Sequence, residues 1–382
     1  MKLMLVINNA FSAFHLKGAV RYFSEKGHDV SIMSTPGKLV DDLAKEEGGR
    51  VIPIQLNRDI APFEDIRSLF QLIRILKKEK PDVINVGSPK TGFLFALAKI
   101  FLPKLPMIFT LRGIRSDTLT GLKRAIVFRT EKLACSMAEK VIVISPSLRD
   151  HAVEIGMLDP QKAVVFGAGS SNGINTELYK LTDEWVQKGN DLRSELGISP
   201  NALVMTTIGR VTKDKGLTEV YRAYKRLAGE YAELHWLVAG PAEEGDPLDP
   251  SIVKAMVENS RIHLLGQVNP IQPVIAASTV VIQYSYREGF GNVVLQAMAM
   301  KRPVVIADIP GLRDTLGNSS AGLKIRPKDS ELLATSINHY LSRPDLCEQH
   351  GEFGRKRVEQ HFASEVIWDA QSALYAEISG NK

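Results

Sequence analysis

Cysteine is nearly missing from this chain. Cys135 and Cys347 are the two thiols in 382 residues, far apart, with neither CxxC spacing nor a histidine cluster beside them. That excludes a disulfide framework and a structural zinc site, and it leads us to expect a reducing compartment. Long apolar runs are missing as well. No stretch reaches the roughly 18 uninterrupted apolar residues of a spanning helix, and "GFLFALAKIFL" is the nearest approach. The opening "MKLMLVINNAF" is interrupted by Asn8 and Asn9 too early for a signal peptide, so it reads as a first buried strand. The first glycine is Gly18, so the GxGxxG turn that brings backbone against a dinucleotide pyrophosphate is absent after that strand, and nicotinamide or flavin chemistry is disfavoured. Internal repeats and low-complexity tracts are also lacking.

What is present is an ordinary globular composition, 44% apolar and 24% charged. Its length suits two domains of about 150 to 200 residues each. Charge divides unevenly between them. Residues 1–168 hold 25 Lys and Arg against 17 Asp and Glu, a balance of +8, whereas the remainder holds 23 against 26, a balance of −3. The two halves are therefore expected to face different partners.

Apolar strand-like runs alternate with amphipathic helical patterns throughout, which argues for parallel sheets with crossover helices. In the first half the strands read as "KLMLVIN", "DVSIMS", "RVIPIQL", "PDVINVGS", "PMIFTLR", "KVIVIS" and a short "KAVVFGAG". Helices are expected at "FHLKGAVRYFSEKG", "KLVDDLAKEEG", "FEDIRSLFQLIRILKKEK" and "LKRAIVFRTEKLACSMA". A low-periodicity stretch from Ser170 to Asn201 reads as a linker with one helix. Strands then resume at "ALVMTTIGR", "HWLVAG", "RIHLLG", "VVIQYS", "RPVVIAD" and "GLKI", and "EVIWDAQSALYAEISG" closes the chain as a helix. The expected division is a Rossmann-like domain over 1–168, a second over 169–360, and a terminal helix in 361–382 crossing back to the first domain. Doubly wound domains take ligands at the carboxyl ends of their strands, and two of them facing each other place a cleft there.

Three strand-exit loops carry candidate chemistry. After the first strand, "NNAFSAFH" offers Asn8, Asn9, Ser12 and His15 either to bind hydroxyls or simply to cap a helix. The second domain opens with "TTIGRVTKDKGL", where Gly209-Arg210 and Lys215-Gly216 flank a helix start. Two cations beside a helix N-terminus suit phosphate, Arg by fork hydrogen bonds and Lys as a point charge. The third loop is "SYREGFGNVVLQAMAMKRPVV". Gly289 and Gly291, flanking Phe290, allow backbone amides to approach a ligand, and the helix starting near Asn292 aims its positive end there. Glu288 can accept hydrogen bonds from sugar hydroxyls. Gln296, read as about two turns into the helix, needs a polar partner such as a ribose hydroxyl.

Residues 162–376 resemble the glycosyltransferases of family four, retaining enzymes of the two-Rossmann GT-B fold that use sugar nucleotides. The resemblance rests on "SNGINTELYK", "IGRVTKDKGL", "HLLGQV", "SYREGFGNVVLQAMAMKRPVV" and "LYAEI" in this order. It implies that Arg210 and Lys215 bind the donor diphosphate and Glu288 the donor sugar. Gln296 takes the place of the usual ribose-binding Glu, a departure that bears on nucleotide affinity or choice. Backbone and side chains around Gly266 and Gln267 would lie near the base.

The first half is more remotely similar to the subgroup that extends lipid-linked oligosaccharides for bacterial surface polysaccharides. There "LRGIRSD" places Arg112-Gly113 where many members carry a His, so acceptor contacts are expected from Asn9, His15, Arg112 and Arg115. The implied reaction moves a hexosyl or N-acetylhexosaminyl group, UDP being the expected nucleotide, to a polyprenyl-diphosphate-linked saccharide, with retention. No DxD motif occurs in a suitable loop, so no metal is expected. Arg67, Arg74, Lys77, Lys78 and Lys80 on or just after one helix, and Arg112, Arg115, Lys123, Arg124, Arg129 and Lys132 later, suit an anionic membrane surface, at about 1 kcal/mol per basic residue. A cytoplasmic protein held peripherally at the inner face of the membrane is the corresponding expectation. Nucleic acid is disfavoured for want of an aromatic platform or motif. Two alternatives stand beside the transferase: a sugar-nucleotide epimerase of the same architecture, and a non-catalytic sugar-nucleotide-binding partner of another transferase.

Overall fold

The computed structural model describes residues 1–55, 62–243 and 245–380. The chain divides into two compact units, Met1–Gly173 with Ser364–Lys382, and Ile174–Ala363. The first boundary thus falls a few residues beyond 168, and the chain returns to the first unit a few residues beyond 360.

The first unit contains β1 (Lys2–Val6), β2 (Asp29–Ser34), β3 (Arg50–Pro53), β4 (Val83–Val86), β5 (Met107–Leu111), β6 (Lys140–Val143) and β7 (Ala163–Val164). All are parallel, in the order β3-β2-β1-β4-β5-β6-β7. Helices cover both faces, so strand side chains of either parity are buried and the runs read as continuously apolar. Met4 and Val6 join Val86, Phe109 and Val141 in one cluster, while Leu3, Leu5 and Ile7 join Ile32, Ile108 and Ile142 in another. The helix Ser364–Gly380 closes the second of these faces with Ile367, Trp368, Leu374 and Tyr375. Trp368 packs over Gly18, where an added Cβ would lie 2.6 Å from its ring, and its indole N–H donates to Asn172 at 2.8 Å.

The second unit contains β8 (Leu203–Ile208), β9 (Leu234–Ala239), β10 (Ile262–Gly266), β11 (Val280–Gln283), β12 (Val304–Ala307) and β13 (Gly322–Ile325), parallel in the order β10-β9-β8-β11-β12-β13. Val204, Trp236, Val281 and Ile306 are buried at its centre. In both sheets the strand order reverses once, between β1 and β4 and between β8 and β11. Such reversal points leave a crevice at the strand carboxyl ends.

In the first unit two crossover helices escaped the sequence reading, as did Pro250–Glu258, Ser330–Leu341 and Pro344–His361 in the second. Pro89–Phe101, which contains the "GFLFALAKIFL" run, and Pro146–Glu154 cross over after β4 and β6. The strand read at "KAVVFGAG" shrinks to two residues. Among the described residues no helix is long and apolar enough to cross a membrane.

Candidate active site

The reversal point of the second sheet is built by the loops after β8 and β11. After β8 the chain passes Gly209 and Arg210 into a short turn, Lys213–Lys215, and then into the helix Leu217–Glu230. Asp246 anchors that turn, its carboxylate accepting from the Asp214 N–H at 2.8 Å. Gly216 joins turn to helix with φ of +66°, and a Cβ there would stand 2.2 Å from the Tyr284 carbonyl oxygen. Glycine is thus required both by the left-handed backbone and by the close passage of the β11 exit. The Tyr286 N–H then donates to the Asp214 carbonyl at 2.8 Å, so backbone joins the two loops.

Side chains complete the junction. Lys215 Nζ meets Glu288 Oε2 at 2.7 Å, and the same oxygen accepts from Ser285 Oγ at 3.2 Å and Gln283 Nε2 at 3.3 Å. Both members of the ion pair are largely buried, 13% and 21% exposed, so their geometry is held by packing. Arg210 is looser at 44% exposed; it pairs with Glu243 and lies 3.6 Å from Asp214 Oδ2. The structure therefore brings the three expected catalytic residues, Arg210, Lys215 and Glu288, to one sheet reversal. It also shows each cation already balanced by carboxylate, which the sequence reading did not foresee.

The glycine loop behaves partly as expected. Phe290 is buried and its ring packs 6.0 Å from that of Phe362, so it anchors the loop from below while Gly289 is exposed above it. The helix is Asn292–Ala299 with Gly291 as its N-cap, and the Asn292 N–H is taken by the Phe290 carbonyl at 3.0 Å. That amide is used by the turn itself, a correction to its expected part in the cradle. Gln296 is the fifth helical residue, one turn in rather than two, and its amide donates to the Tyr179 hydroxyl at 2.9 Å. Tyr179, whose pKa is raised by burial, is a partner that no sequence pattern points to. Gln267 is exposed just after the edge strand β10, two strands from β8.

In the first unit the expected acceptor residues take different local roles. Asn9 caps the short turn Ala10–His15, accepting from the Ser12 N–H at 3.0 Å, which is the simpler of the two roles open to it. His15 ends that turn. Burial, with a smaller contribution from the Arg112 charge, lowers its pKa to about 3. Arg112 donates from Nη1 to the Gly87 carbonyl and from Nε to Ser171 Oγ, both at 2.7 Å. Arg115 lies elsewhere. It borders a cavity of about 360 Å³ whose apolar lining includes Ile66, Leu69, Phe93, Leu97 and Ile126. Its backbone N–H and that of Ser116 donate to the buried carboxylate of Glu131 at 2.8 and 3.2 Å. Desolvation raises the Glu131 pKa, and this internal acid, which shapes the "LRGIRSD" loop, left no sequence signal. Among the described residues no three His, Cys, Asp or Glu side chains gather where they could hold a metal ion.

The comparisons agree with this layout. A family model described as "Glycosyl transferases group 1" matches residues 189–357, and one described as "Glycosyl transferase 4-like domain" matches residues 13–169. The chain is 31% identical over 360 residues to the capsular polysaccharide biosynthesis glycosyltransferase CapM of Staphylococcus aureus, covering 94% of this chain and 93% of that protein. It is 25% identical, over 80% of its length and 78% of the relative's, to the Escherichia coli UDP-Gal:alpha-D-GlcNAc-diphosphoundecaprenol alpha-1,3-galactosyltransferase. In fold it matches Anabaena Alr3699/HepE, crystallised in complex with UDP, with a TM-score of 0.82 at 19% identity, over 99% of this chain and 100% of the other. With a relative of this identity along nearly its whole length, two matching family models and two doubly wound parallel domains, the chain belongs to glycosyltransferase family four and is a glycosyltransferase of the GT-B fold.

Proposed function

We propose that this glycosyltransferase moves a hexosyl or N-acetylhexosaminyl group from a UDP-sugar to a polyprenyl-diphosphate-linked saccharide, with retention at the anomeric carbon, during assembly of a bacterial capsule or lipopolysaccharide of the O-antigen type. The observation that carries the reading is the meeting of Arg210, Lys215 and Glu288 at the reversal of the second sheet. As the anomeric bond breaks, its electron pair leaves with the diphosphate. Arg210, Lys215 and the amides near Gly289 stabilise that growing charge more in the transition state than in the ground state. Glu288 orients the sugar through its hydroxyls, and Gln296, held by Tyr179, lies toward the ribose. Cationic side chains take the part a divalent ion plays elsewhere, so the reaction proceeds without metal.

The donor class is supported by the UDP bound to the Anabaena protein, and the acceptor class by the name of the E. coli relative. Peripheral attachment to an anionic membrane is supported by the exposed basic and apolar side chains of the helix Pro62–Glu79. The test is product NMR after incubating the purified protein with UDP-glucose, UDP-galactose or UDP-N-acetylglucosamine and a polyprenyl-diphosphate-linked sugar, with and without EDTA. A new α-linked sugar, formed equally with EDTA, is expected. Conversion of the donor sugar without acceptor would establish the epimerase instead, and binding without any turnover would establish the non-catalytic partner.

A further inference from the structure

The reversal point of the first sheet, between β1 and β4, is as favourable a place for a ligand as that of the second. Arg112, from the loop after β5, reaches the β4 exit. Gly87 makes the reach possible, since a Cβ on it would stand 2.1 Å from Arg112 Nη1 and 3.1 Å from Cζ. Both partners of the guanidinium, the Gly87 carbonyl and the Ser171 hydroxyl, are neutral, and among the described residues no carboxylate pairs with it. Among the described residues Nη2 has no hydrogen-bond partner, and the side chain as a whole is only partly buried. His15, from the loop after β1, is close enough to feel the guanidinium charge.

A cation partly withdrawn from water without a counter-charge is unfavourable unless another group supplies one. A structural clamp for the Gly87 carbonyl needs no charge; an amide side chain would serve. We infer that the free edge of Arg112, held over Gly87 and Ser171, is an oxyanion subsite that binds a phosphate oxygen at the reversal of the first sheet. The inference rests on the transferase reading only for the source of that phosphate, either the diphosphate of the lipid-linked acceptor or that of the nucleotide.

The test follows the His15 ring signals by NMR in the full-length protein near pH 7, assigned by their loss in His15→Gln, as inorganic pyrophosphate is added against a KCl control of equal ionic strength. Saturable movement is expected in the wild type and in Arg210→Ala, with the apparent Kd raised at least about tenfold in Arg112→Met. No saturable movement in the wild type, the same movement with KCl, or an unchanged Kd in a folded Arg112→Met overturns the inference. The wild-type arm stands even where that variant fails to fold. Repeating the titration in Arg210→Ala with UDP and with geranyl diphosphate separates the sources, since the ligand that moves His15 is the one that supplies the phosphate. Failure of the transferase reading registers separately, as absence of sugar transfer with the His15 response intact.

Discussion

Arg210 and Lys215 carry the same charge toward the same loop from different surroundings, and the difference is measurable. Arg210 and its partner Glu243 are each nearly half exposed, and such pairs contribute about 0–1 kcal/mol to stability. Arg210→Ala is therefore expected to leave urea unfolding almost unchanged while kcat for transfer falls about 100- to 1,000-fold, the usual loss for one donor to a developing negative charge. Lys215→Met leaves the Glu288 carboxylate largely buried without its cation. A cost of about 1–3 kcal/mol in stability accompanies the loss of turnover there. His15 supplies a pH dependence of definite sign. Its folded pKa of about 3 lies below the ordinary 6.5, so between these values the unfolded chain takes up a proton that the folded chain refuses. Its contribution to stability is complete above about 6.5 and is lost as pH falls toward 3. Burial lowers His28, His235, His263 and His350 in the same direction. The His15 share is isolated by comparison: between pH 6.5 and 5 the urea midpoint of His15→Gln should fall less than that of the wild type.

At the scale of elements, the loop after β11 keeps its shape because another loop passes directly beneath it. Gly311 has φ of +84°, and an added Cβ would lie 2.6 Å from the Glu288 carbonyl oxygen and 2.8 Å from that of Gly289. Gly27 has nearly the same φ, +80°, with open space around it. Replacing either by Ala costs about 1–2 kcal/mol of backbone strain. Gly311→Ala must in addition push the donor loop outward, so it is expected to raise the donor KM as well as lower Tm, whereas Gly27→Ala lowers Tm alone. The strands of the described residues were legible from their apolar runs because both faces of each sheet are covered. Pro89–Phe101 was missed for a related reason. It packs beneath other elements over much of its circumference, so its sequence shows little polar contrast at helical spacing. The gathering of Arg210, Lys215 and Glu288 at one sheet reversal was legible because all three lie in the loops that follow β8 and β11. Tyr179 opposite Gln296, Glu131 beneath Arg115 and Gly87 under Arg112 were not, since each pairing depends on residues brought together from distant segments.

For the molecule as a whole, the charge excess of +8 over residues 1–168 coincides with exposed apolar side chains. On the helix Pro62–Glu79, Phe63 is 90% and Phe70 67% exposed, beside exposed Arg67, Arg74, Lys77 and Lys78. On the helix Gly121–Met137, Leu122 is 77% exposed beside Lys123 and Arg124. Phe63, Ile66 and Phe70 recur at helical spacing on one helix, and a contiguous exposed apolar patch marks an interaction surface. Basic residues interleaved with them suit a bilayer with anionic head groups, where charge brings the protein in and insertion of apolar side chains holds it. The two contributions respond differently to salt. Lys77→Gln with Lys78→Gln removes two charges, at about 1 kcal/mol each, and should weaken sedimentation with phosphatidylglycerol vesicles about 30-fold at low salt. That difference should vanish near 1 M salt, where the screening length is about 3 Å. Phe63→Ser with Phe70→Ser should weaken binding at both salt concentrations, because burial of apolar surface is not screened. Equal binding of the wild type to phosphatidylcholine and phosphatidylglycerol vesicles at low salt would remove the electrostatic half of this account.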